Sequence, residues 1–378
     1  MDHSNLKASQ AFPDYDNSIL GIPNSILKHF NLPAYHPGLP ILDGYLAKGF
    51  RQIVLLVLDG MGIENMNQLL PRDSRFLTNR VGDISSVFPP TTTAATTTLK
   101  TGRLPMEHGW LGWSLYFPEL SDNIDLYPNT RLDGSRFLPY HAASRYLPFL
   151  DIIASLNEAA RGSQEPFRAM EISPFSSPRA LGMENLGRNL ETALRRGERS
   201  FIYAYSPEID SAMHKFGAAS LEAYGEMVKA EKHLMNVIGK AKDTLFIITA
   251  DHGLIDSDNR WLGNYGNITE QLTILPAIEP RALSFRVKAA NLEGFKDTMA
   301  DVFGEAFITM SRQEVLDSGL FGCGMEHPRF RESLGDYLAI AAQDIALFNS
   351  QGAARTIKGT HGGFTEAEMR VPLIIFET

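Results

Sequence analysis

The chain alternates short, wholly apolar runs with longer amphipathic stretches. Ile53-Val54-Leu55-Leu56-Val57-Leu58 contains no polar position and is rich in β-branched residues. Such a run predicts a strand buried on both faces. Phe201–Tyr205, Leu245–Ala250 and Val371–Phe376 read the same way, and shorter strands are expected at Ile84–Phe88 and Phe167–Ile172. Between them, Leu221–Ala241 repeats apolar residues at Leu221, Tyr224, Met227, Val228, Leu234 and Ile238, the spacing of one helix face. Glu184–Arg196 and Pro148–Ala160 are also helical by pattern, the proline falling in a first turn where it is tolerated. Strands alternating with helices predict an α/β fold: a mainly parallel sheet with helices on both faces.

This rhythm breaks in three places. Residues 1–50 carry several prolines and little periodicity, and read as an N-terminal arm or cap with a short helix around Ser25–Phe30. Inside the presumed core, 51–276, residues 110–145 are rich in aromatics and prolines and read as an excursion over the site. Residues 277–335 read as a small α+β insertion. There Arg281–Lys288 alternates like an exposed strand, Leu292–Phe303 is helical and Ala306–Met310 is a strand. Residues 336–378 return to the core.

The apolar runs end on chemistry. Asp59 follows the first, Asp251-His252 the third, and Asp210 with His214 lie just beyond the second. His361 sits in Gly359-Thr360-His361-Gly362-Gly363. Each has an ordinary reading alone. An aspartate after a strand commonly caps a turn or helix, and an Asp–His pair four residues apart can be an exposed helical pair. Together they gather carboxylate and imidazole groups at strand ends, where α/β sheets place their sites. That donor set suits a pair of divalent cations, zinc best and manganese second. Phe88-Pro89-Pro90-Thr91-Thr92-Thr93 lies between the first and second groups and is a natural home for a nucleophile. A helix is expected over 92–101 despite threonine's low propensity, and its N-terminus would direct free N–H groups at an anion.

Composition narrows the function. Thirty-five basic residues against 44 acidic ones give a formal net charge of -9 over 378 residues. A broad nucleic-acid surface is therefore not expected, since few phosphates could be neutralised. A small phosphoester in a cation-lined pocket is compatible. Cys323 is the sole cysteine, so no intrachain disulfide forms. No apolar run reaches signal-peptide or membrane-spanning length, and a cytoplasmic protein without a membrane partner is expected.

Taken in order, Val57-Leu58-Asp59-Gly60, Phe88-Pro89 through Thr101-Gly102, Asp210-Ser211-Ala212-Met213-His214, Ala250-Asp251-His252-Gly253 and Gly359-Thr360-His361-Gly362 resemble the alkaline phosphatase superfamily. The likeness is to its type I phosphodiesterase/nucleotide pyrophosphatase branch, over about residues 50–255 and 355–378. The resemblance implies that Asp210, His214 and His361 hold one metal. Asp59, Asp251 and His252 would hold the other, together with the nucleophile's oxygen. It implies Thr92 as nucleophile, with Thr91 and Thr93 as competitors, and Tyr205 as a wall of a nucleoside pocket. Trp113 stands where the branch usually carries an asparagine that bonds the phosphoryl group, and is a second substrate-binding candidate. Thr93 replaces an aromatic residue that usually follows the nucleophile. The implied activity is metal-dependent hydrolysis of a phosphodiester or nucleotide pyrophosphate. A phosphomonoesterase or phosphonate hydrolase is the alternative on the same scaffold, and a catalytically silent metal- or nucleotide-binding protein the alternative of another class. A sulfatase is disfavoured, because no C/S-x-P-x-R context is present.

Overall fold

The structure is a computed structural model that describes residues 11–136, 139–163, 165–177 and 179–378. Residues 1–10 of the expected arm, and Phe137 and Leu138 of the excursion, lie outside the described residues.

Six strands make the main sheet, in the order Arg80–Ser85, Arg370–Glu377, Thr244–Thr249, Gln52–Leu58, Ser200–Ser206, Arg168–Ile172. Gln52–Leu58 runs parallel to both neighbours, and Ser200–Ser206 parallel to Arg168–Ile172. Arg370–Glu377 runs antiparallel to both of its neighbours, so the sheet is mixed. The chain reaches this strand from the His361 loop, at the carboxyl end of the parallel strands, where Gly359–Thr360 pairs with Ile255–Asp256. It must therefore run back through the sheet. Every residue of Gln52–Leu58, Ser200–Ser206 and Thr244–Thr249 is buried. Covered on both faces, these strands tolerate no alternation, which is why they read as unbroken apolar runs.

The N-terminal segment is more than an arm. Gly21–His29 and Pro40–Leu46 are helices, and Ile22, Ile26, Leu27, Leu42 and Leu46 share one core with the sheet residues. Prolines at each end of this short segment mask its helical spacing.

A second, antiparallel sheet has seven strands, in the order Phe307–Ser311, Tyr337–Ala341, Ala282–Val287, Leu272–Glu279, Ser114–Phe117, Asp122–Asp125, Thr130–Arg131. The aromatic excursion and the later insertion thus form one unit, joined at Ser114 and Ile278. The expected boundary at 276/277 falls inside the Leu272–Glu279 strand. The stretch expected to be an exposed strand is also corrected, because Ala282–Val287 is buried at every position except the half-buried Arg286. The sheet is covered on both sides. Leu338 and Ile340 enter one core while Ala339 and Ala341 enter another, the period-two alternation of a strand between two apolar layers.

One ion pair couples this sheet to the last candidate ligand. Arg281 is fully buried and bidentate on Glu368, at 2.7 and 2.8 Å. Its remaining guanidinium nitrogen donates to the carbonyls of Gln343 and Ile345. Glu368 in turn accepts from the Gly363 N–H at 2.7 Å and the Thr365 hydroxyl at 2.6 Å, which pins the loop carrying His361. Arg281→Ala would leave a carboxylate buried without its partner, and is expected to cost about 3–5 kcal/mol. Urea unfolding should show the midpoint falling steeply. An Arg281→Met/Glu368→Leu double variant should recover much of the loss, and a double variant as unstable as the single one would refute this account.

Candidate active site

The six candidate ligands and Thr92 converge at the carboxyl ends of the parallel strands. Asp59 leaves Gln52–Leu58, and its N–H donates to Ser206 O while its carbonyl accepts from the Asp210 N–H. That pair of bonds seats the Glu208–Phe216 helix beside the first strand. His214 lies one turn after Asp210 on the same helix face, with Nε2 3.2 Å from Asp210 Oδ1. Close approach of the backbones requires glycine here. Gly60 has φ of +74°, and a Cβ on it would sit 3.1 Å from Asp210 Cα. A Cβ on Gly253 would sit 2.1 Å from the Ala367 carbonyl oxygen.

Two donor groups are compact, each with its atoms within 4.8 Å of one another: Asp59, Asp251 and His252, and Asp210, His252 and His361. His252 belongs to both. His214 stands beside the second group, against Asp210, where the expected division had placed it directly with Asp210 and His361. The reason is position. His252 Nε2 lies between the carboxylates, 3.4 Å from Asp59 Oδ1 and 3.7 Å from Asp251 Oδ2, and its ring stacks on His361 at 3.9 Å.

Neighbouring bonds leave one atom of each ligand free. His214 Nδ1 lies 2.8 Å from Gly359 O, His252 Nδ1 3.2 Å from Gly253 O, and His361 Nδ1 3.2 Å from Pro90 O. A carbonyl only accepts, so each Nδ1 donates; Nε2 of His252 and of His361 keeps a lone pair, while Nε2 of His214 faces Asp210 Oδ1, which favours a proton there until a cation takes its place. Asp251 Oδ1 accepts from the Gly60 and His252 N–H groups, while Oδ2 has no hydrogen-bond partner among the described residues. Asp59 Oδ2 accepts from the Tyr205 hydroxyl, and its Oδ1 likewise has none. Buried carboxylate oxygens left in this way need a cation or a proton. Burial pushes the Asp59 carboxyl well above its ordinary range, and Asp251 and Asp210 add to the rise. Burial lowers His361 well below the usual imidazole value, helped by His252 and His214. His214 is raised to about 9: burial opposes its charge, but Asp210 outweighs it. Oxygen and imidazole donors with free lone pairs, facing one another in a buried site, fit divalent metal ions.

The three threonines separate cleanly. Thr92 Oγ1 lies 3.1 Å from His252 Nε2, amid the ligands. Thr91 Oγ1 points away and donates to Glu279 Oε1 at 2.6 Å. Thr93 is fully buried, and its hydroxyl has no partner among the described residues. Thr92 opens the Thr92–Thr101 helix, and Thr91 supplies no side-chain cap. First-turn N–H groups are thus left for an anion.

Tyr205 is placed differently from expectation. It is buried and its hydroxyl holds Asp59, because Tyr205 pairs with Val57 across the parallel register, two residues before Asp59 on the same strand face. Its ring meets Phe175 at 6.2 Å, and Phe175 stacks in turn on Tyr127 at 6.3 Å. Phe175 is 72% exposed and comes from the loop after Arg168–Ile172. Nothing in the spacing of Ser173-Pro174-Phe175 marked it. Trp113 lines a cavity of about 500 Å³ that opens beside Thr92, Asp210, His214 and His361. Its backbone N–H donates to Glu279 Oε1 at 2.8 Å. Glu279 lines the same cavity and was also missed: burial raises it to about 7 against the bonds from Thr91 and Trp113. A lone glutamate before a proline carries no periodic signal. A larger cleft of about 860 Å³ lies elsewhere and is lined by none of the candidate ligands.

Solved structures share this fold. Murine ectonucleotide pyrophosphatase/phosphodiesterase 5 superposes with a TM-score of 0.67 at 15% identity, covering 86% of this chain and 88% of that one. An inactive form of it in complex with AMP gives 0.66 at 15%, over 85% and 87%. Phosphonoacetate hydrolase from Sinorhizobium meliloti 1021, in complex with phosphonoformate, gives 0.59 at 16%, over 85% and 89%. No curated protein matches. Residues 53–364, which hold the second sheet, all of the main sheet but its Arg370–Glu377 strand and the first residue of Gln52–Leu58, and all seven candidate site residues, match the profile of one family. The chain belongs to the type I phosphodiesterase/nucleotide pyrophosphatase family, whose enzymes hydrolyse phosphoester bonds.

Proposed function

We propose that the chain hydrolyses phosphodiesters through Thr92, with one divalent cation held by Asp59, Asp251, His252 and Thr92 and a second by Asp210, His214 and His361. The observation that carries this reading is the position of Thr92 Oγ1. It lies 3.1 Å from His252 Nε2 and shares the site with carboxylate oxygens that have no hydrogen-bond partner among the described residues. When bound, such cations make a hydroxyl easier to ionise and offset charge on a phosphoryl group. Zinc suits the mixed nitrogen and oxygen donors best, and manganese is the second choice.

The residues divide the work. Thr92 Oγ attacks phosphorus, the bond to the leaving alcohol breaks, and the phosphoryl group is carried on the threonine until water releases it. The first turn of its helix faces the phosphoryl oxygens. Tyr205 orients Asp59, and the three Nδ1–carbonyl bonds fix the imidazoles. Diesters suit this site better than monoesters. A monoester brings a second negative charge that usually meets a lysine or arginine, and none lines the cavity beside Thr92 among the described residues.

The test is turnover of bis-p-nitrophenyl phosphate with added Zn²⁺ or Mn²⁺. A kcat/KM above that for p-nitrophenyl phosphate is expected. The reverse order would point to a phosphomonoesterase, and no turnover of either ester would refute the hydrolase reading.

A further inference from the structure

Asp59 and the Asp251-His252 pair come from segments far apart in the chain, so their spacing depends on what joins those segments. Asp59 is followed by the helix Ile63–Leu69, and Asp251-His252 by Gly253 and Leu254. Leu254 falls between strands: Thr244–Thr249 has ended, and the pairing of Ile255–Asp256 with Gly359–Thr360 has not begun. Asn65, on that helix, fills the gap. Its Nδ2 donates to the Leu254 carbonyl at 2.9 Å, and its Oδ1 accepts from the Leu254 N–H at 3.1 Å. A backbone N–H only donates and a carbonyl only accepts, so the amide has one possible orientation. Asn65 is 2% exposed. Removing its amide would strand two buried backbone groups.

The contact has no slack. Gly62, at the start of the same helix, meets Gly253 so closely that a Cβ on it would sit 2.6 Å from Gly253 Cα. A Cβ on Gly253 would sit 2.9 Å from Asn65 Oδ1. On its other side the Gly253 N–H donates to the Glu368 carbonyl at 2.9 Å. The Gly60 N–H on Asp251 Oδ1 ties the near ends of the two segments, and Asn65 ties their far ends. Asp251 and His252 are therefore held between two ties, both of which run to the segment that carries Asp59.

Resting on the two-cation reading, we propose that Asn65 is a positioning residue, which sets the distance between Asp59 and the Asp251-His252 pair. It does not line the cavity beside Thr92, so it acts on the donors through the backbone and not on the substrate. Removing a group that orients metal donors typically costs 10–100-fold in metal affinity or activity. A residue that served the fold alone would lower stability and leave that affinity unchanged.

Asn65→Leu keeps the volume and removes both bonds. Its zinc affinity, read by competition with a chromophoric chelator, should fall about 10–100-fold. At saturating zinc, kcat for a phosphodiester should fall while KM changes little, because substrate binding is untouched. Met66→Ala is the control. Met66 is the next residue of the helix and lies wholly in the core. This variant should melt at least as early as Asn65→Leu, with zinc affinity within about twofold of the parent. Amide hydrogen exchange reads the same tie without metal. The His252 and Gly253 N–H groups bond to Asp251 and Glu368, not to Asn65. In zinc-free Asn65→Leu they should exchange about tenfold faster than in the parent. Parent zinc affinity together with parent exchange rates in Asn65→Leu would overturn the proposal, and so would an equal loss of zinc in Met66→Ala. A parent protein that binds zinc but turns over no ester would refute the hydrolase reading alone, and the affinity and exchange comparisons would still decide the role of Asn65.

Discussion

Thr92→Ala is expected to lower kcat for a phosphodiester by about four orders of magnitude. The substitution removes the attacking oxygen and leaves the carboxylates and imidazoles in place, so metal content measured on the purified variant should stay close to that of the parent. Its neighbours make sharp controls. Thr91 spends its hydroxyl on Glu279, and Thr93 is sealed from the site. Thr91→Ala and Thr93→Ala should each keep most of the turnover. A dead Thr91→Ala beside an active Thr92→Ala would move the nucleophile by one residue, and three active variants would remove threonine from the chemistry.

Removing divalent cations is expected to abolish hydrolysis, with recovery on adding Zn²⁺ or Mn²⁺. Stability should fall as well. Ions bound only by the folded state stabilise it by RT ln(1 + [L]/Kd), about 4 kcal/mol per site at a thousandfold excess over Kd. Stripped protein should therefore melt earlier, whether or not a substrate is present. Burial, and then the neighbouring Asp251 and Asp210, raise the Asp59 carboxyl, and a bound cation should relieve that rise. Crystals grown with zinc should give two anomalous peaks about 4 Å apart, one at Asp59, Asp251 and His252 and one at Asp210, His214 and His361. Undiminished activity and an unchanged melting temperature after chelation would defeat the metal assignment.

Much of this was legible in the residues because burial writes itself simply. A strand covered on both faces must be apolar throughout, so Ile53–Leu58, Phe201–Tyr205 and Leu245–Ala250 stand out, and the candidate ligands follow at their ends. The direction of the last strand was not legible, since an apolar run reads alike parallel or antiparallel. Nor was the pairing of Ser114 with Ile278, because a single edge contact between distant segments leaves no periodic trace. Ala282–Val287 was mistaken for an exposed strand because of its polar positions: Ser284 is buried on a carbonyl, while Arg286 spreads over Tyr116. Glu279 and Phe175 come from a hairpin and a loop, where geometry rather than sequence spacing selects the residue. Tyr205 stands out in the sequence within the second apolar run, but its bond to Asp59 emerges only from the strand register.

The main sheet also has a consequence for how the protein is made. Its strand order inserts Arg370–Glu377 between Arg80–Ser85 and Thr244–Thr249. While the chain is being synthesised, Arg80–Ser85 has no neighbour in this sheet until nearly everything after it has left the ribosome. Asp59 and Thr92 emerge early, yet His361 and the strand that closes the sheet emerge almost together at the end. A chain interrupted before residue 361 thus holds Asp59, Asp210, Asp251 and His252 with neither the last imidazole nor a closed sheet. Completion of the sheet and completion of the candidate metal site are one late event, so a shortened chain exposes an unpaired strand edge, the surface most prone to aggregation.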